Sequence, residues 1–410
     1  MKNKLILLIS IACIYQTCVA QVFTQKSDFI EPRHRAFSLI LNNKLITGTG
    51  RDASGTMNNQ VWEYDIATQQ WNPLNDFPTN PVRNCISMVI NDTAYAGFGR
   101  DGTNGIGWYQ YNAGSDTWVQ KNSGGNASSF SGTFSLNGKG YAVCGSGALG
   151  EHSELWEYNP ATDAWLQKAN FPGAARDFPF ADTVGGFAYA GMGDFFFAPP
   201  WFSDMYKYDA IADTWTSIAP IPVSSTGAIA EGGCSFSASY NGKLIIMSLD
   251  GIKTTQLSDY NTIYVYDPST DSWTLYENAN PVGSRGTPLK GQNGSKAYFG
   301  CGDDFINGIK QDFWEVDLAL FLTSIHEQNP GLENIEIYAA KNKIFAKIPP
   351  EVLVLQNLAL EIYTIDGKLI ATHCLQWEQS FDVSNLTTGN YVYVLKSEKR
   401  NLKSGKLLLN

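Results

Sequence analysis

Over roughly Gln21 to Leu322, apolar and polar residues alternate in short runs broken by turns, and the same order of runs keeps returning. Alternation with period two marks a strand with one buried face. Each repeat opens on such a strand and a tight turn: Asn42-Asn43, Asn91-Asp92, Asn137-Gly138, Gly185-Gly186, Asn241-Gly242 and Asn293-Gly294. These residue types tolerate the positive φ that a two-residue hairpin needs. A second strand follows and ends in Gly-x-Gly at Gly48/Gly50, Gly97/Gly99, Gly191/Gly193 and Gly300/Gly302; Val143-Cys144-Gly145 keeps one glycine and Met247-Ser248-Leu249 none. Glycine weakens a strand, so its recurrence marks close approach of backbones. The third strand carries an aromatic phrase, as in Val61-Trp62-Glu63-Tyr64-Asp65, Trp156-Glu157-Tyr158-Asn159 and Tyr264-Val265-Tyr266-Asp267. A turn of Asx and Pro residues then leads into a fourth strand.

That fourth strand begins at Trp71, Trp118, Trp165, Trp215 or Trp273, each nine residues after Trp62, Tyr109, Trp156, Tyr206 or Tyr264. The steps between these tryptophans are 47, 47, 50 and 58 residues. A period near ~50 reads as four-stranded propeller blades. Six hairpin turns make six blades, with the large aromatics packing between them. The sixth repeat lacks its last strand: after Trp314-Glu315-Val316-Asp317, the Trp position holds Thr323. The offsets from Phe23 to Phe29 to Arg35 reproduce those from Trp71 to Phe77 to Arg83. Residues 22–30 are therefore expected to complete the last blade and pair its open edge. With these motifs in at least five copies, residues 21–322 resemble kelch-repeat β-propellers. The phrase Phe171-Pro172-Gly173-Ala174-Ala175-Arg176 resembles those in secreted proteins of Bacteroidetes-type bacteria.

Past Leu322 the period stops. Ser324 to Glu333 is polar, with Pro330 and Gly331, and residues 323–333 read as a linker. Short alternating strands follow at Ile335–Tyr338, Lys343–Ile348, Leu358–Ile365, Lys368–Ala371, Tyr391–Lys396 and Lys403–Leu409, which predicts a small β-sandwich over 334–410. Two phrases, Ile362-Tyr363-Thr364-Ile365-Asp366-Gly367-Lys368 and the run from Phe381 to Tyr391, resemble the C-terminal sorting domain (type A) of cargo of the type IX secretion system. The ending Lys406-Leu407-Leu408-Leu409 fits it. The usual Tyr-Pro-Asn-Pro opening is absent, and only Asn329-Pro330 stands near its place. The expected fold is thus all-β: a six-bladed kelch-type β-propeller followed by a small β-sandwich. The resemblance implies contact with the type IX machinery and export through the periplasm. The protein is then secreted or held at the outer-membrane surface, with the tail removed or kept as an anchor.

The start of the chain agrees with export. Lys2 and Lys4, an apolar run from Leu5 to Ile14, and Cys18-Val19-Ala20 before Gln21 read as a signal peptide over residues 1–20. The run is short of the ~20 residues that span a bilayer, so an uncleaved anchor fits less well, as does a lipoprotein cut before Cys13. No later segment is apolar enough to cross. The net charge of −10 argues against nucleic acid. The last fifteen residues are the exception, with Lys396, Lys399, Arg400, Lys403 and Lys406. Cys85, Cys144, Cys234, Cys301 and Cys374 are scattered, odd in number and without a CxxC pair. They read as buried small hydrophobes, with a Cys85–Cys144 bridge left open.

Catalytic motifs are sparse. The four histidines, His34, His152, His326 and His373, have no metal-ligand spacing, and there is no Cys/His cluster, nucleophile elbow or phosphate loop. No metal or cofactor is expected. Strand direction puts the loops after strands two and four on one face. The after-four loops carry Arg35, Arg83, Arg176 and Arg285, eleven or twelve residues past the Trp position. Kelch resemblance implies that such arginines line the channel mouth, where guanidinium forks suit carboxylates; the alternative is bonding to neighbouring carbonyls. Arg51-Asp52, Arg100-Asp101, Asp194, Asp250 and Asp303-Asp304 follow strand two and read as turn-forming residues. In the fourth blade that loop holds Phe195, Phe196, Phe197, Trp201 and Phe202. These aromatics suit stacking on a sugar or a partner, or packing over the channel. The expected function is recognition of a carbohydrate or protein at the cell surface, by a monomer. The alternative is an epimerase or mutarotase acting on an acidic sugar, with Glu231 as the one acid/base candidate.

Overall fold

The computed structural model describes residues 22–101, 106–126, 128–147, 150–195, 202–222, 236–247, 262–277, 279–283, 285–304, 308–328, 335–340, 343–348, 358–365, 367–375, 379–397 and 400–409. Each repeat folds as an antiparallel sheet in sequence order. Blade 1 is Phe37–Leu41, Lys44–Gly48, Val61–Asp65 and Gln70–Leu74, and the later blades copy it. The innermost strands, Phe37–Leu41, Ile86–Ile90, Gly132–Leu136, Phe180–Val184, Phe236–Tyr240 and Leu289–Asn293, neighbour one another in that order, and the last touches the first. The result is a closed six-bladed β-propeller.

The repeated residues explain why the ring holds. Hairpin residues such as Asn42 and Asn43 sit at φ 51° and 59°. At the end of strand two, a Cβ on Gly191 would fall 2.2 Å from the carbonyl oxygen of Asp204, just before strand three. Gly193 adds a φ of +92°. Between blades a clasp recurs. The phenols of Tyr111, Tyr158, Tyr208 and Tyr266 donate to Asp116, Asp163, Asp213 and Asp271 at 2.6–2.9 Å. The same aspartates accept backbone N–H groups of the preceding blade from Asn75, Asn122, Ala169 and Ala219. Beside them the indoles of Trp165, Trp215 and Trp273 donate to Asn122, Ala169 and Ala219 carbonyls. Blade 1 has Gln69 where the aspartate belongs, and there the Tyr64 hydroxyl is buried without a partner among the described residues. Around the channel, Ser87 Oγ donates to Ser38 O and Thr133 Oγ1 to Ser87 O, both at 2.9 Å, sewing successive inner strands together.

The sixth blade consists of Leu289–Asn293, Lys296–Gly300, Phe313–Asp317 and the N-terminal strand Phe23–Gln25. Phe23 faces Val316 and Gln25 faces Trp314 in the ladder. Phe29 then lodges edge-on against Trp71 with centroids 4.7 Å apart. The chain start therefore ties blade 6 to blade 1.

Two features differ from the sequence reading. The expected polar linker from residue 323 is in part an α-helix, Leu318–Gln328, which begins directly after blade 6. Asp317 Oδ1 caps it by accepting the Leu320 N–H at 2.9 Å. Leu318 and Phe321 pack into the cluster that holds Val22, Phe23 and Phe236. The polar reading of Ser324 onward missed that this apolar first turn nucleates a helix on the propeller. Secondly, the C-terminal β-sandwich is joined to the propeller, which the sequence did not reveal. One sheet is Glu336–Ala340, Lys343–Lys347 and Gln379–Asp382; the other is Leu358–Thr364, Leu369–Cys374, Gly389–Ser397 and Arg400–Leu409. They enclose a core of Ile344, Leu360, Ile362, Leu395 and their neighbours. The second sheet joins blade 5 into one eight-stranded sheet, because Arg400–Leu409 pairs with the outermost blade strand, Ser272–Tyr276. Cys85 and Cys144 are buried free thiols, so that bridge does not form; Cys234 lies outside the described residues.

Candidate functional site

One end of the axial channel is framed by residues from blades 1, 2, 3, 4 and 6, each held at positive φ: Arg35 (59°), Asn84 (58°), Phe130 (65°), Phe178 (51°) and Thr287 (48°). Backbone bonds link them blade to blade, with Asn84 N–H to Arg35 O at 2.8 Å and Phe178 N–H to Phe130 O at 3.0 Å. All five line a cavity of about 370 Å³ that continues past Ser38, Ser87, Asp182 and Lys290.

Above this ring, short bridges join the loop after strand four to the loop after strand two. They pair His34 with Arg51, Arg83 with Arg100, Ser129 with Ser146, Asp177 with Asp194, and Gly286 with Asp303. The offset is seventeen residues in every case. Reading round the ring, blades 1 and 2 contribute cations and blades 4 and 6 contribute carboxylates.

On the cationic side stand Arg35, Arg51, Arg83 and Arg100, all half-buried. Arg100 donates to the carbonyls of Ser146 and Gly147. Arg51, Arg83 and Arg100 form no ion pair with any carboxylate among the described residues, and the Nε of Arg51 and of Arg83 is buried without an acceptor. Burial first, then the charges of Arg51, Arg35 and Arg100, lower the Arg83 pKa to about 10. The neighbouring His34 imidazole lies 3.6 Å from Asp303. Burial and the flanking Arg35, Arg51 and Arg83 nonetheless push its pKa down to about 3, so His34 is neutral and this contact is not an ion pair. On the opposite side Asp177 is fully buried, with neither carboxylate oxygen hydrogen-bonded among the described residues. Burial, then Glu151 and Asp194, raise its pKa to about 8. His152 is bonded to Ser128 Oγ at 2.8 Å, and burial lowers its pKa.

The four arginines singled out by spacing separate into two kinds. Arg35 and Arg83 stand at the mouth. Arg176 and Arg285 do not: both are 0 % exposed and inside the wall. Arg176 grips Asp204 with two bonds of 2.6 and 2.9 Å, bonds the Met192 carbonyl, and lies 4.0 Å from the Phe202 ring centroid. Arg285 repeats this on Asp312 and the Cys301 carbonyl. Their counterpart in blade 1 is Arg33, bonded to the Thr49 carbonyl and Asn58. The spacing of eleven or twelve residues blurred a shift of one or two positions, which is enough to turn a side chain from the wall to the channel. The constant seventeen-residue offset separates the two kinds and brings out His34, Arg51, Arg100 and Asp177.

Of the aromatic loop, Phe195 is 47 % exposed and Phe202 packs on Arg176. Phe196, Phe197, Trp201 and Glu231 lie outside the described residues. Asp52 makes a local turn, accepting N–H bonds from Ser54 and Thr56. No cluster of three or more His, Cys, Asp or Glu among the described residues is arranged to hold a metal.

Comparison with known proteins assigns the tail. Residues 329–410 match the family of secretion system C-terminal sorting domains. The chain is therefore a type IX export substrate, secreted or displayed at the cell surface. Among the described residues, no helix is long and apolar enough to cross a membrane. The structure is similar to one titled "Structure of YjhT", with a TM-score of 0.57 and 16% identity over 70% of this chain and 95% of that one. At that identity the likeness speaks for the fold alone. No curated protein matches the sequence.

Proposed function

We propose that this is an exported recognition protein of the kelch type whose channel mouth binds an anionic group, carried by an acidic sugar or an acidic segment of a surface protein. The observation that carries the reading is the convergence of Arg51, Arg83 and Arg100 from two adjacent blades, none of them ion-paired to a carboxylate among the described residues. Like charges held together in a half-buried site are costly, and an incoming carboxylate relieves that cost through charge-assisted bonds. The serines, threonine and phenyl rings of the channel offer hydrogen bonds and an apolar floor beneath the charge. The test is an array of sialylated, uronate-bearing and neutral glycans together with acidic peptides, probed with the full chain. Binding confined to acidic members supports the reading; equal binding to neutral ones refutes it.

A second reading, an epimerase or mutarotase for an acidic sugar, draws on Asp177. A carboxyl group that stays protonated near neutral pH is suited to general acid chemistry. In this reading Asp177 takes the place given to Glu231 by the sequence. Proton NMR would follow ring-form exchange of sialic acid with and without protein. Acceleration that vanishes in Asp177→Asn favours catalysis, and no acceleration leaves binding as the function.

A further inference from the structure

Blade 5 departs from its siblings on its outer edge. Immediately before the recurring tryptophan, Gln70, Thr117, Ala164 and Thr214 are exposed, whereas Ser272 is buried. Two residues after it, Pro73, Gln120, Gln167 and Ser217 are exposed, whereas Leu275 is buried. Trp71, Trp118, Trp165 and Trp215 are each part-exposed, while Trp273 is 0 % exposed. In the adjacent strand, Glu63, Gln110, Glu157, Lys207 and Glu315 stand where blade 5 has the buried Val265. Exposed edge strands are ordinarily kept polar; this one is built to be covered.

The cover is the sorting domain. Ser272 pairs with Gly405 and Trp273 with Ser404. Gly405 is required there, since a Cβ would lie 2.7 Å from the Tyr393 ring that crosses it. Tyr393 is itself buried, and Asp271 of blade 5 adds to the suppression of its acidity. Lys403, though charged, is buried with its Nζ on the Ile335 carbonyl at 3.0 Å. Strand addition of this kind supplies affinity through main-chain bonds.

We propose that blade 5 is a dedicated docking edge for the protein's own sorting domain, so that the two remain associated after the segment between them is cut. Processing alone would then not release the propeller from its tail. Separation would need the final strand to be peeled from Ser272–Tyr276, for instance by a competing strand acceptor. This inference is independent of what the channel mouth binds.

The experiment introduces a site-specific protease sequence between residues 328 and 335 of the full chain, cuts it to completion, and runs size-exclusion chromatography under native conditions. Co-elution of the tail with the propeller is expected. Separate elution of the wild-type fragments would overturn the proposal. Ser404→Glu, which sets a charge against Trp273, is expected to release the tail after cutting; co-elution of this variant would equally refute the ladder as the cause. Should Ser404→Glu fail to fold, hydrogen exchange on the cut wild type decides. Retained protection of the Ser272–Leu275 amides is expected, and its loss upon cutting contradicts the proposal.

Discussion

Replacing Arg176 by Ala separates the wall arginines from the mouth arginines most sharply. Arg176 is fully buried and makes two bonds to Asp204 and one each to the Met192 and Ala174 carbonyls. Truncation leaves Asp204 without its cation and all four bonds unmade around a hole lined by Phe171 and Phe202. Breaking a buried pair from one side costs about 3–5 kcal/mol. Asp204 is 34% exposed, so water recovers part of that and the lower end, about 3 kcal/mol, is expected. At about 2–4 °C per kcal/mol for a large domain, the melting temperature should fall by about 6–12 °C. Calorimetry reads this directly, with Arg83→Ala beside it. Arg83 is half-buried, lacks an ion pair among the described residues and is repelled by its neighbours, so its loss should not lower stability. If Arg176→Ala melts with wild type, or Arg83→Ala falls as far as Arg176→Ala, the division is wrong.

Three further outcomes follow from the same structure. Asp177 has a folded-state pKa near 8, far above the ordinary carboxylate value, so its contribution is full below about pH 4 and is lost as pH rises toward 8, at up to about 1.4 kcal/mol per pH unit; Asp177→Asn should match wild type at acid pH and melt higher above pH 8, and an unchanged pH–stability slope would refute this. Deleting residues 22–30 removes the buried Phe23 and Phe29 and uncovers the edge of blade 6, at a cost of about 3–5 kcal/mol per aromatic; a truncated chain that melts like wild type and stays monomeric would contradict the closure. Removing residues 329–410 should leave the protein in the periplasm, as cell fractionation would show, and undiminished export would count against the sorting role.

Much of the fold was legible because each blade repeats the same local solutions. Asn-rich turns, Gly-x-Gly and the spaced tryptophans are set by φ and by backbone contact, and these act over a few residues. Phe23 and Phe29 announced the closing strand because the missing Trp after Trp314 demanded a donor. The helix at Leu318–Gln328 was hidden by its short apolar stretch and polar end. The docking of Arg400–Leu409 on blade 5 was hidden too, although Val265 and Leu275 already stand where the other blades carry no large aliphatic side chain. At the site, residue type was visible but direction was not: Arg35 and Arg33 are two residues apart, and only the backbone pairing tells which one meets the channel.

The central claim is anion recognition by the mouth arginines. Calorimetric titration of the full chain with sialic acid and glucuronic acid, against N-acetylmannosamine and glucose, tests it with wild type and with the Arg51→Gln/Arg83→Gln variant. Each lost charge-assisted bond is worth about 1.5–3 kcal/mol, so the account predicts that the acids alone bind and that the variant weakens them by at least about tenfold at unchanged melting temperature. Binding of acids and neutral sugars alike, or acid binding untouched in the folded variant, would contradict it.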